Sequence, residues 1–145
     1  RANVKDTQIA ALRAIKSDPP QAFLSSVADE MVFAATSLFG AQTFKAVVPV
    51  PCGSSGPDCL SRRLAKLVAA RLGVEFIEAF EPLPHTGSSH PKQNRRRLRV
   101  KIVDAPNAAV VLIDDVATSG EHIEEAATLL LQSAPAVLPL TWIAD

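Results

Sequence analysis

The stretch Val110-Val111-Leu112-Ile113-Asp114-Asp115-Val116-Ala117-Thr118-Ser119-Gly120 decides how the whole chain is read. Four consecutive apolar residues, three of them β-branched, suit a central parallel strand covered on both faces. The strand is expected to stop at the two carboxylates and turn through a small hydroxyl-bearing loop, where Gly120 permits a tight turn. A helix should then begin near Glu121. Amides at a helix N-terminus, with the Thr118 and Ser119 hydroxyls beside them, form a ready anion site. Asp114 and Asp115 would repel a phosphate placed directly on them, yet carboxylates readily accept the protons of vicinal sugar hydroxyls. The stretch therefore predicts a sugar 5-phosphate with its carbohydrate end toward the aspartates. The competing reading is an ordinary strand-to-helix turn with solvated acids. The apolar run before the acids and the hydroxyl loop after them argue against it.

This pattern, an apolar strand followed by Asp-Asp and then Val-x-Thr-Ser-Gly, resembles the 5-phosphoribosyl 1-pyrophosphate (PRPP) motif of type I phosphoribosyltransferases. The resemblance implies an α/β fold, a mainly parallel sheet with helices on both faces and a flexible flap loop. Val-Pro-Val-Pro at Val48 to Pro51, together with an arginine cluster further on, is most similar to the ComF-type group of predicted phosphoribosyltransferases. The similarity runs from about Ala46 to Ile143. It has departures: the helix after Cys59 lacks the Phe-Asn-Gln common in that group, no zinc-ribbon cysteines precede the domain, and His122 stands where a threonine usually follows the phosphate loop.

The length of 145 residues suits one domain with a real core. The expected division is a helical N-terminal part, 1–44, and a PRPP-binding core, 45–145. Lys plus Arg and Asp plus Glu each total 15, so the overall field steers toward neither nucleic acid nor membrane. Cys52 and Cys59 are too few for a disulfide scaffold and lack the spacing of a common zinc site. A reducing cytoplasm is the simpler expectation. No apolar run is expected to reach the length of a membrane span, and no signal-peptide pattern opens the chain. It begins at Arg1 rather than methionine, which leaves room for residues upstream.

Taken in order, Ile9, Leu12 and Ile15 predict a short helix over Thr7 to Lys16, capped by Asp6 or Thr7. After Pro19 and Pro20, the positions Leu24, Val27, Ala28, Met31, Val32, Ala35 and Leu38 trace one helical stripe that Gly40 ends. Ala46 to Val50 reads as a strand, and 51–57 as loop. The next helix buries Leu60, Leu64, Leu67, Val68 and Leu72, with Asp58 or Ser61 as cap and Gly73 as its stop. A strand follows from Val74 to Ala79. Glu81 to Arg97 reads as a long exposed loop and Leu98 to Val103 as its returning strand. Asp104 to Ala108 is a turn. Beyond the opening stretch, Ile123, Ala126, Ala127, Leu130 and Leu131 form a helix face, and Ala136 to Ile143 a last strand. Alternating strands and helices mean right-handed βαβ units, with ligands at the carboxyl ends of the strands.

PRPP needs two anion regions flanking a sugar. Val116, Ala117, Thr118, Ser119 and Gly120 supply the 5-phosphate side, and Asp114 and Asp115 are the candidate catalytic residues. For the pyrophosphate, the small residues of Cys52, Gly53, Ser54, Ser55 and Gly56 allow close approach of backbone amides. The family places its pyrophosphate loop there. Arg62 and Arg63 could reach it from the next helix. The 81–97 loop matches the family's flap in position, with Arg95, Arg96 and Arg97 as the flap candidates within a basic patch that includes Lys92, Arg99 and Lys101. The resemblance also implies Mg²⁺ held largely by substrate and water, with no dedicated protein cage. His85 and His90 read as loop residues.

The expected function is transfer of 5-phosphoribose from PRPP to an unidentified nucleobase or amine, with release of pyrophosphate. Phe76, Phe80 and Ile143 are the candidates for an acceptor surface. Two alternatives stand beside it: a non-catalytic PRPP- or nucleotide-binding regulator, and a ComF-like DNA-uptake accessory protein using the basic patch. The lack of interleaved aromatics and of net charge weighs against nucleic acid. A homodimer and a cytoplasmic location complete the expectations.

Overall fold

The computed structural model describes residues 2–39, 44–51, 58–83, 98–117 and 119–144. In chain order its elements are α1 (Ala2–Ser17), α2 (Gln21–Phe39), β1 (Ala46–Pro49), α3 (Leu60–Leu72), β2 (Glu75–Phe76), β3 (Phe80–Pro82), β4 (Val100–Ile102), β5 (Val110–Ala117), α4 (Glu121–Leu130) and β6 (Val137–Ala144). Four strands form a sheet in the order β2-β1-β5-β6, and every pairing in it is parallel. β3 and β4 make a separate antiparallel ribbon.

The period of two in β1 and β5 divides the core between the sheet's faces. Val47, Val111, Ile113 and Leu138 pack with Leu24, Val27 and Met31 of α2 and with Leu64 and Val68 of α3. Ala46, Val48, Val110 and Leu112 face the other way, onto Ala126 and Leu130 of α4. Helices thus cover both faces, as a strand apolar on both sides requires. The edge-on packing of Phe23 against Trp142, with ring centroids 5.0 Å apart, joins α2 to β6. Arg71 of α3 reaches Asp29 Oδ1 of α2 at 2.6 Å and the Ser25 hydroxyl at 2.7 Å.

β6 is the last strand of this sheet, and its outer edge is blunted. The Val110 N–H donates to Ala136 O at 3.0 Å, and Val110 is in register with Val137. The odd-numbered residues of β6 therefore direct their peptide groups away from β5. Pro139 sits at one such position and has no N–H to offer. The Thr141 hydroxyl donates to Ile143 O at 3.0 Å, occupying an outward carbonyl. Both features discourage pairing with another strand.

Several expectations are corrected. α1 begins at Ala2, well before Thr7, because nothing from Ala2 to Asp6 breaks a helix. The apolar run of α2 is long enough to cross a membrane by length and composition, 19 residues at hydropathy 1.3, against the expectation that no run reaches that length. In the fold Leu24, Val27, Ala28, Met31 and Ala35 of that helix are buried in the core. Leu38, assigned to the buried stripe, is exposed, as is Leu131 after α4. Neither Asp58 nor Ser61 caps α3. Cys59 is the N-cap but its side chain does not cap the helix amides; its Sγ lies 3.3 Å from the Ser61 hydroxyl, which donates to Val50 O at 3.2 Å. The strand expected over Val74 to Ala79 shrinks to β2, and Glu81 and Pro82 belong to β3 rather than to a loop. Gly40 lies outside the described residues.

Candidate functional site

β5 does not stop at its carboxylates. It continues through Val116 and Ala117, which pair with Ile143 and Ala144 of β6. Two residues assigned to the phosphate loop are therefore strand. Beyond them Gly120 takes a left-handed conformation, φ 73°, with open space where a Cβ would stand. It is the backbone angle that favours glycine here. α4 starts immediately after, and the Glu121 N–H approaches the Ser119 hydroxyl at 3.4 Å. Thr118 lies outside the described residues.

The alternation that divides the core also divides the acidic pair. Asp114 shares the α4 side with Val110 and Leu112, and lines a shallow open cavity with Val116, Ala117, Ser119, Gly120, His122 and Ile123. Asp115 shares the opposite side with Val111 and Ile113. It is buried, its Oδ1 accepts the Val116 N–H at 2.8 Å, and its Oδ2 lies 2.9 Å from Lys16 Nζ at the end of α1. Asp114 Oδ1 accepts the Asp115 N–H at 2.8 Å. Burial, then repulsion from the adjacent Asp115, pushes the Asp114 carboxyl up to about 6, while that backbone hydrogen bond and Lys16 oppose the rise.

The cavity thus brings together a carboxylate, a serine hydroxyl and the first residues of a ten-residue helix. That combination suits a ligand with hydroxyls at one end and an anion at the other. Glu121 and Glu124 in the first turn interact favourably with the same helix end, and an incoming anion competes with them.

Of the remaining sequence candidates, Cys52 to Gly56 and Arg95 to Arg97, with Lys92, His85 and His90, lie outside the described residues. Arg62 is committed to Glu78, through Nε to Oε1 and through the second guanidinium nitrogen to Oε2 at 3.0 Å. This hydrogen-bonded pairing raises the arginine and lowers the glutamate. Lys101 pairs with Glu81 across the β3–β4 ribbon at 2.8 Å, so this end of the basic patch is locally neutralised. Phe76 and Phe80 pack on opposite sides of the core rather than forming one acceptor platform. Cys59 is disulfide-bonded, contrary to the expectation of reduced thiols; the sequence holds one other cysteine, Cys52.

Sequence reasoning missed two residues. Lys16 gave no signal, because its partner is far away in the chain. Glu125 accepts the Leu98 N–H at 2.6 Å, tying α4 to the segment that enters β4. Glu125 gave no signal either, because it lies off the apolar stripe of α4 that Ile123, Ala126 and Leu130 form.

No protein-family model and no curated protein matches the sequence. Solved structures do match in shape. Adenine phosphoribosyltransferase from Saccharomyces cerevisiae superposes with a TM-score of 0.61 at 16% identity, covering 87% of this chain and 70% of that one. Orotate phosphoribosyltransferase from Aeropyrum pernix gives 0.53 at 17% identity, covering 86% and 73%. The chain has the type I phosphoribosyltransferase fold. A hypothetical protein from Neisseria gonorrhoeae with bound ppGpp also shares this phosphoribosyltransferase-like shape, with a TM-score of 0.57 at 13% identity over 86% of this chain and 80% of that one.

Proposed function

We propose that the protein is a phosphoribosyltransferase that transfers 5-phosphoribose from PRPP to a nucleobase or amine. The observation that carries this reading is the placement of Asp114 in one cavity with Ser119, Gly120 and the start of α4. In this assignment the α4 amides and the Ser119 hydroxyl hold the 5-phosphate. Asp114 accepts a hydrogen bond from a ribose hydroxyl and lends negative potential as the ring becomes cationic. The bond from the anomeric carbon to pyrophosphate oxygen breaks with its electron pair leaving on pyrophosphate. A bond to the acceptor nitrogen forms, and the nitrogen's proton passes to the departing pyrophosphate or to solvent. Holding donor and acceptor in line is the protein's main contribution.

Among the described residues no group of three His, Cys, Asp or Glu side chains is placed to hold a metal ion. Magnesium brought with PRPP, held largely by substrate and water, is part of this reading. Such an ion would supply charge neutralisation for the departing pyrophosphate. The 52–56 loop as pyrophosphate site, the arginine flap, a homodimer and a cytoplasmic location are further parts of the proposal. The location has to accommodate the Cys59 disulfide, which is unusual in a reducing compartment. The ComF-type assignment rests on Val48 to Pro51 and the arginine cluster alone.

Calorimetric titration with PRPP and Mg²⁺ tests the reading. Binding, followed by pyrophosphate release with some member of a nucleobase and amine panel, is expected. A folded protein that binds no PRPP contradicts it. A second reading, a nucleotide-binding regulator that does not turn over, draws on the ppGpp-bound neighbour. Binding of a guanosine polyphosphate, with no pyrophosphate release across the panel, would favour it.

A further inference from the structure

The ion pair between Lys16 and Asp115 belongs to no part of the site described so far, yet it ends on the residue next to Asp114. α1 is remote in sequence from β5, and its last turn delivers Lys16 Nζ to within 2.9 Å of Asp115 Oδ2. The other oxygen of the same carboxylate is held by the Val116 N–H at 2.8 Å. Both oxygens of Asp115 are thus engaged on the α2–α3 side of the sheet. Asp114, one residue earlier, lines the cavity on the α4 side. The carboxylate of Asp115 is only 12% exposed against 37% for Lys16, so the pair is screened less than a surface salt bridge.

We propose that Lys16 is a positioning residue for the sugar site: it pins Asp115 to the far face of β5, leaves Asp114 as the carboxylate presented to the ligand, and makes α1 part of the site. The proposal rests on the phosphoribosyltransferase reading for the identity of the ligand, but not for the division of the two carboxylates. The mechanism is electrostatic as well as geometric. The adjacent Asp115 carboxylate opposes ionisation of Asp114, and the Lys16 charge counters that effect at Asp114. Among the described residues, the other charged or titratable groups facing Asp114 are Asp115 on its own strand and, from α4, the cavity-lining His122, with Glu121 in the same first turn. From β6 its register partner is Thr141, and β1 ends in Pro49 without a titratable side chain.

The experiment compares wild type with Lys16→Met, Lys16→Gln and Lys16→Arg, each first shown to be folded by its thermal transition. PRPP affinity with Mg²⁺ is measured across pH 5 to 8, and the Asp114 carboxyl is titrated by carbon-13 NMR without ligand. Loss of the charge should weaken PRPP about five-fold or more at neutral pH and move the Asp114 midpoint up by about half a unit or more. Lys16→Arg should restore both. Wild-type affinity together with an unmoved Asp114 midpoint in folded Lys16→Met or Lys16→Gln would overturn the proposal. If the wild type binds no PRPP, the functional reading fails by itself, and the NMR titration still decides whether Lys16 acts on the acidic pair.

Discussion

Asp114 and Asp115 are consecutive in the chain and stand on opposite sides of β5, the first in a cavity with Ser119 and His122, the second against Lys16. A motif that reads as one pair of acids is therefore two residues with separate surroundings. Their nearness is still felt as charge, because Asp115 helps to push Asp114 up to about 6.

That shift has a sign. The folded Asp114 binds its proton more tightly than the usual carboxylate near 3.8, so the folded state holds more protons between the two values. Stability should fall as pH rises through that window, and at neutral pH the ionised Asp114 is a standing cost of about 1–2 kcal/mol after allowance for its partial exposure. Asp114→Asn should raise the thermal midpoint at pH 8 by a few degrees, and much less at pH 4. Calorimetric melts at the two pH values check this. Equal shifts at both would remove the electrostatic explanation.

Leu112 is fully buried between β5 and α4. Leu112→Ala should cost about 3 kcal/mol through lost burial and the cavity left behind. Because α4 rests on that side chain, amide exchange in the helix should rise as well. Denaturant unfolding gives the first quantity and hydrogen exchange the second. A loss below about 1 kcal/mol would mean that this face of the core is loosely packed.

Glu125 holds the Leu98 N–H at 2.6 Å. A charged acceptor on a half-buried amide gives one of the stronger hydrogen bonds in a protein. Glu125→Ala should destabilise by about 1–3 kcal/mol, with exchange at Leu98 accelerated more than at Val48 in the sheet centre. Uniform acceleration across the sheet would indicate global rather than local loosening.

Cys59 begins α3 in disulfide form. Reduction should lower stability by about 2 kcal/mol, the lower end of the range for loss of a native disulfide. Melts with and without a reductant read this directly, and an unchanged midpoint would show that the bridge constrains little.

Much of the fold was legible because the local signals agreed with one another. Val110 to Ile113 could only be a strand buried on both faces, and β1, α3 and α4 carried clear apolar periods. Gly73, with φ 66°, stops α3 as its sequence position suggested. What escaped was tertiary. The continuation of β5 through Asp114 to Ala117 depends on pairing with β6, which no local pattern encodes. Leu38 is exposed although it continues the helical stripe of α2, and a stripe alone cannot report where a helix leaves the core. The Glu78 partner of Arg62 and the Lys16 partner of Asp115 lie in other elements, so charge pairing hid the real allocation of cations. Asp114, Val116, Ala117, Ser119 and Gly120 meet in one cavity because they are near neighbours in the chain, whereas the division of the acidic pair between two faces was not legible.

The most direct test of the central claim is PRPP affinity, with Mg²⁺ at pH 7.5, for wild type and folded Asp114→Asn. Wild type should bind measurably and the variant about ten-fold or more weakly, the scale of one charge-assisted hydrogen bond to a ribose hydroxyl. Undiminished affinity in Asp114→Asn, or no binding by the wild type, would contradict it.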